Sequence, residues 1–401
     1  MRIIHYSTLV LIVLGLLSCD DENSTPEPDP VVFMTIELKE TFMDNSTDKW
    51  VFATNERGEI LDVVQLQSGT PTVELKTTTP FATFNFTIFS FYDGPNHFSL
   101  ETFKGFPENE TIVLGTTPIT PAAPAGNANI TVTNYTESDA TFDVKFSTKK
   151  FGTNGVTNPV ISGSNYSADI TLGTSSETVH VYGIRSGIPV YSMVSNVLPN
   201  VSRSVDFLSF TPFENVVQLP FIGYAYTVGI EDDKSQFELV ATSKQASADP
   251  RQLYTATVPG FSKYLTYIVS FTGFEYWRIG APITSFAPPV YSISISNNTI
   301  QNFQSAITGS HDYKSVDFAK QTGNESASWR VHADNNTDLN IDFDLPNELK
   351  LDYPTLTVDG LQYRISSFYR SSATYTYKDM LAYRFKNVVK DELELLTLTS
   401  Q

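Results

Sequence analysis

The sequence predicts an all-β fold, organised as tandem antiparallel β-sandwich domains of the immunoglobulin-like kind. Three observations predict it. Apolar and polar residues alternate with a period of two along most of the chain, and long helical periodicity is scarce. Aromatic residues make up 13% of the 401, mainly 28 Phe and 20 Tyr, with abundant Thr and Ser, which is strand composition. The alternating stretches are short, roughly five to nine residues, and Asn, Asp, Gly or Pro separate them, as in antiparallel sandwiches.

Residues 1–18 stand apart from this pattern. Arg2 is basic, residues 9–17 are apolar apart from Gly15, and Leu16-Leu17-Ser18-Cys19 closes the run. The run is about half of the ~20 residues that span a bilayer as a helix, so it reads as a cleaved export signal. The tetrapeptide resembles the lipobox of bacterial lipoproteins. That resemblance implies cleavage after Ser18 and lipidation of Cys19, the sole cysteine of the chain. A lipobox cysteine carries two or three acyl chains. At ~0.8 kcal/mol per buried methylene, more than one chain gives firm attachment.

Residues 19–31 then form a tether. Asp20, Asp21, Glu22, Glu27 and Asp29 alternate with Pro26, Pro28 and Pro30, and this composition stays extended and buries nothing. The acidic triplet beside Cys19 is similar to the surface-export signal of Bacteroidetes-type lipoproteins. It implies an outer-membrane, lipid-anchored protein exposed at the cell surface. A plain solvated tether facing the periplasm is the alternative.

Beyond the tether, residues 32–116 read as a first sandwich, with the Phe-rich alternation of residues 84–91 as its clearest strand. Pro118, Pro121 and Pro124 recur every third residue, as in a polyproline-type connector. Residues 127–280 form the second region, one sandwich or two, with strands expected at 140–147, 178–184 and 265–271. Pro282, Pro288 and Pro289 mark the next boundary, since paired prolines do not sit in a central strand. Residues 290–401 form an aromatic-rich third region, with strands expected at 291–296 and 340–345. A short helix is expected near 386–396, where residues 393–399 suit a last strand equally. Residues 50–66 and 329–345 align as a weak internal repeat, each running from Trp through a polar turn to Leu.

The chain carries 44 acidic against 26 basic residues, a formal charge of −18. Such a chain repels phosphate backbones, so nucleic acid is not an expected partner. Enzyme signatures are lacking: the sequence has no Gly-x-Ser-x-Gly elbow, no His-Glu-x-x-His zinc helix and no phosphate loop. Its histidines are scattered. The reading is a non-catalytic surface protein that binds a glycan or a protein partner, for capture, adhesion or transporter support. A surface glycoside hydrolase or other hydrolase, and a structural spacer or envelope-assembly component, are the alternatives.

Two groups of residues carry candidate sites. Asp338, Asn340, Asp342 and Asp344 alternate with Leu339, Ile341, Phe343 and Leu345. On a strand the polar members share one face, where Asp338, Asp342 and Asp344 would suit a hard cation such as calcium. A wet strand face is the plainer reading. The second group is aromatic. Tyr276-Trp277-Arg278 and Tyr369-Arg370 with Tyr377 place rings beside positive charge on an acidic protein, and such residues dominate binding hot spots. Because neighbours on a strand face opposite sides, one ring of each adjacent pair is expected to point outward. The third region, from about Val290, is the expected main contact surface.

Overall fold

In a computed structural model of the chain, the residues described are 29–43, 46, 48–79, 81–93, 96–115, 123–135, 144–148, 156–221, 223–231, 236–241, 251–270, 274–288, 292–323, 325–370, 376–386 and 393–399. Cys19, the signal and most of the tether lie outside them. The fold is all-β, as the alternation predicts.

Its main feature is one twelve-stranded sheet. Along the chain its strands are β1 (Asp48–Asn55), β2 (Ile60–Leu66), β3 (Thr83–Tyr92), β4 (His97–Pro107), β5 (Gly223–Ile230) and β6 (Gln236–Ala241). They continue as β7 (Lys263–Ser270), β8 (Phe274–Gly280), β9 (Tyr313–Thr322), β10 (Glu325–Asp334), β11 (Gln362–Arg370) and β12 (Leu393–Thr399). In space the order is β6-β5-β7-β8-β12-β11-β9-β10-β4-β3-β1-β2. The first and third regions expected from sequence therefore share a sheet. They meet where β4 runs parallel to β10, from His97 beside Ser326 to Phe103 beside His332. The last strand, β12, lies between β8 and β11 and ties the second region to the third. The boundary at residues 281–289 separates segments of chain but not sheets.

A sandwich with its own core is present in the second region. One four-stranded sheet orders Val156–Ser162, Asn165–Leu172, Gly126–Thr133 and Ser202–Asp206. The other orders Thr211–Pro212, Ile188–Val197, Glu177–Arg185 and Lys145–Ser147. Ile130, Phe146, Tyr166, Ile170, Val181 and Phe207 fill the space between them. A separate cluster around Leu253, Tyr264, Ile268 and Tyr276 backs β5, β7 and β8.

Around β1, β3, β4 and β10 both faces of the long sheet are covered. On one side Val51, Phe84, Phe86 and Phe103 pack against strands Val31–Leu38 and Glu110–Leu114 and against helix α2 (Tyr377–Lys386). On the other, Phe52, Phe89, Trp329 and Phe318 pack against Leu339, Ile341, Phe343 and Leu345, with helix α1 (Asn347–Asp352) following. Burial on both faces encloses the polar members of the alternation, and they are paired across strands. Asn85 donates to Thr54 Oγ1 (3.2 Å), and Thr87 and Thr102 share a hydrogen bond (2.8 Å). Trp329 Nε1 donates to Thr102 Oγ1 (2.8 Å), across the parallel seam. A buried polar group left unpaired costs ~1–3 kcal/mol, so this chain of bonds holds β3, β4 and β10 in register.

Three local expectations are corrected. The stretch 339–345 alternates buried and exposed residues as expected, yet it joins no ladder. It lies across a sheet face, where side chains can bury but no strand edge is on offer, and Ile341 N bonds only to Ile300 O (3.0 Å) among backbone groups. The aligned stretches 50–66 and 329–345 consequently differ: the first is the β1–β2 hairpin and the second is not a hairpin. The helix near the tail is α2, upstream of residues 386–396, and residues 393–399 are a strand.

Candidate binding surface

The outer face of β5, β7 and β8 carries a row of aromatic rings. Period-two geometry dictates the split. Ala225, Ile268 and Tyr276 point into the core cluster, whereas Tyr224, Tyr226, Tyr267 and Trp277 point the other way and are partly exposed. Register sets the row: Tyr226 pairs with Tyr267, and Tyr267 with Trp277. Ring centroids are 5.6 Å apart for Tyr224–Tyr226, 4.9 Å for Tyr226–Tyr267 and 4.6 Å for Tyr267–Trp277. The interplanar angles are 55°, 47° and 65°, two tilted pairs and one edge-to-face, so the rings form a ribbed surface rather than a flat platform.

Glu275 locks one end of the row. Its Oε1 accepts the Trp277 indole N–H at 2.6 Å. Burial, then the hydrogen bond and charge of Glu275, push the Tyr267 phenol up to about 12. Glu275 thus engages the polar tips of both Tyr267 and Trp277.

Of the sequence candidates, Trp277 alone joins this row. Tyr276 is buried at 4% exposure, and Arg278 lies on Tyr276's side of the strand. Tyr369 and Tyr377 lie apart from this row. Tyr369 stacks on buried Tyr313 at 3.9 Å and 15°, and Tyr377 packs into the same cluster and donates to the His332 carbonyl (3.2 Å). Burial pushes both phenols up. Both rings are partly buried and pack where α2 meets the sheet. Arg370 ends β11, where its backbone pairs with Glu394.

The acidic alternation is divided between two clefts. Asp338 and Asn340 line one; Asp342 and Asp344 line the other, with Gln301 at the edge of both. All three Asp are exposed. Lysines sit among them: Lys350 Nζ bonds Asp344 Oδ2 (2.5 Å), Lys104 donates to Asn340 O (2.9 Å), and Lys314 donates to Asn335 O (3.1 Å). The Lys350 hydrogen bond lowers the Asp344 carboxyl. Among the described residues no group of three or more His, Cys, Asp or Glu is arranged to hold a metal ion.

One constellation went unseen in the sequence. At the β4–β10 seam Glu101 accepts from His332 Nε2 (2.9 Å) and from Arg384 Nη2 (3.0 Å) of α2. Arg330 beside it forks onto Asp317 (2.6 and 2.7 Å). Burial alone would raise the Glu101 carboxyl. The His332 hydrogen bond and the charges of His332, Arg384 and Arg330 outweigh it and hold the group near 2. His332 stacks flat on Phe103 (4.6 Å, 2°), so the cluster is packed as a clamp between sheet and helix.

No family model matches this chain, and no curated protein matches it. A solved structure of a tetra-tandem repeat in the extending region of a large adhesion protein shows 7% identity over 77% of this chain and 91% of that one, with a TM-score of 0.12.

Proposed function

We propose that this protein is a non-catalytic binding protein whose contact surface is the Tyr224–Tyr226–Tyr267–Trp277 row, and that its partner is another protein. The observation that carries the reading is the row itself. Four partly exposed rings stand in register on three neighbouring strands, and each is already braced by the next. Tyr and Trp give large contact area at low entropic cost, and bracing lowers that cost further. Sugar stacking favours a ring lying flat and open, whereas tilts of 47° and 65° make ribs and grooves suited to side chains. We place the protein at the outer membrane, lipid-anchored through Cys19 and facing outward. The lipobox-like 16–19 and the acidic triplet 20–22 support this.

A binding screen against a panel of extracellular proteins tests the proposal, with the parent chain and a Tyr226→Ala/Trp277→Ala variant run in parallel. Binding lost by a variant that keeps its circular dichroism and melting temperature supports the row as the contact surface. Partners held equally by both chains would place the surface elsewhere.

A further inference from the structure

The third region has a cleft apart from the aromatic row. A cleft of about 490 Å³ opens between the hairpin Ser292–Asn297/Gln304–Thr308 on one side and Asn335, Asp338 and Asn340 on the other. Lys314 of β9 and His311 line it too. We propose that this cleft binds a single uncharged sugar residue.

Two side chains have hydrogen-bonding capacity that the protein does not use. Lys314 is buried to 9% exposure, and its ammonium donates to one acceptor among the described residues, Asn335 O at 3.1 Å. Two of its three N–H donors remain for something else. His311 Nδ1 lies 3.1 Å from the Gly309 carbonyl, which only accepts, so Nδ1 carries the proton. That leaves Nε2 as an acceptor in the neutral ring, and Nε2 is a buried atom with no partner among the described residues. The ring meets Phe368 at 5.4 Å and 68°. Unpaired buried polar atoms cost ~1–3 kcal/mol each, and a ligand that pairs them recovers that cost on binding.

The chemistry of the lining selects the ligand. A donor at Lys314 and an acceptor at His311 are complemented by Asn302, Gln304 and Asn340, whose amides both donate and accept. A sugar hydroxyl does both as well. Charged ligands fit less well: Asp338 on the rim and a chain charge of −18 oppose an anion, and Lys314 opposes a cation. Ile307 and Leu339 supply apolar contact for the C–H face of a pyranose ring. The volume falls within the ~300–1,000 Å³ of small-molecule sites.

The site is independent of the aromatic row, and one experiment separates them. The full chain is mixed with methyl α-glucoside, methyl β-galactoside, methyl N-acetyl-β-glucosaminide and, as a charged control, glucuronate. Saturation-transfer NMR is recorded at millimolar ligand. Transfer to at least one neutral glycoside and none to glucuronate is expected. His311→Ala and Lys314→Met should each weaken it about tenfold, a loss of ~1.4 kcal/mol, whereas Trp277→Ala should leave it intact. Should Lys314→Met fail to fold, His311→Ala, at the cleft margin, carries the test alone. Absence of transfer to every neutral glycoside, transfer to glucuronate alone, or transfer unchanged in a folded His311→Ala chain would overturn the proposal.

Discussion

Glu101→Gln should loosen the seam that joins the first and third regions, in a way that depends on pH. The carboxylate accepts from His332 at 2.9 Å and from Arg384 at 3.0 Å, the second bond reaching across to α2. An amide keeps one acceptor oxygen and loses the charge, so one of two cationic or donor groups is left poorly paired. The carboxyl is held near 2 against an ordinary 4.5. That interval corresponds to about 3 kcal/mol of stabilisation while the facing His332 is protonated. Arg384 is half exposed and its share is screened by water, which brings the expected loss to about 2 kcal/mol. A depressed carboxyl contributes fully above its unfolded value and ceases to contribute as pH falls through its folded value. The penalty of the substitution should therefore be full at about pH 5 and shrink between about pH 4.5 and pH 2. Urea unfolding of parent and variant at several pH values measures both. Equal stability at about pH 5, or a penalty that persists undiminished at about pH 2, would refute the clamp.

Three further outcomes follow from the same reading. Replacing Cys19→Ala should abolish incorporation of a fatty-acid analogue and leave the chain as uncleaved precursor or free of membranes; unchanged labelling would remove the lipoprotein reading. The carboxylates Asp338, Asp342 and Asp344 have Lys104, Lys314 and Lys350 among them, so millimolar calcium or a chelator should shift melting little; a marked rise with calcium, lost in Asp342→Asn, would establish a cation site there. Of the three tryptophans Trp50 and Trp329 are buried at 8% and 1% exposure. Acrylamide should therefore quench mainly Trp277, and a Trp277→Phe chain should resist quenching; equal quenching of parent and variant would mean the row is covered.

What the sequence discloses and what it hides divides along locality. Alternation alone places β3 and separates Tyr276 from Trp277, because side-chain direction on a strand is a local property. The row needs more than that: Trp277 acquires Tyr267 and Tyr226 through the pairing of β8, β7 and β5, which no single stretch encodes. The parallel contact of β4 with β10 is more remote still, since His97 bonds Ser326 across 229 residues. Glu101, His332 and Arg384 therefore show no common motif. Helix α2 did leave a local trace. Thr376 and Asp379 bond each other's backbone N–H groups at 3.3 and 2.8 Å, a capping arrangement. Tyr377, Met380, Leu381 and Phe385 follow at helical spacing on the buried side, and Arg384 and Lys386 close the last turn. Aromatic-rich composition hid that period beneath strand propensity.

The contact surface is tested most directly by one affinity. For a protein partner found in the extracellular panel, the dissociation constant is measured for the parent and for Trp277→Ala, whose melting temperature is matched first. A braced hot-spot ring contributes about 2 kcal/mol, so binding should weaken about 30-fold. Equal dissociation constants for the two folded chains would contradict the assignment of the row as the binding surface.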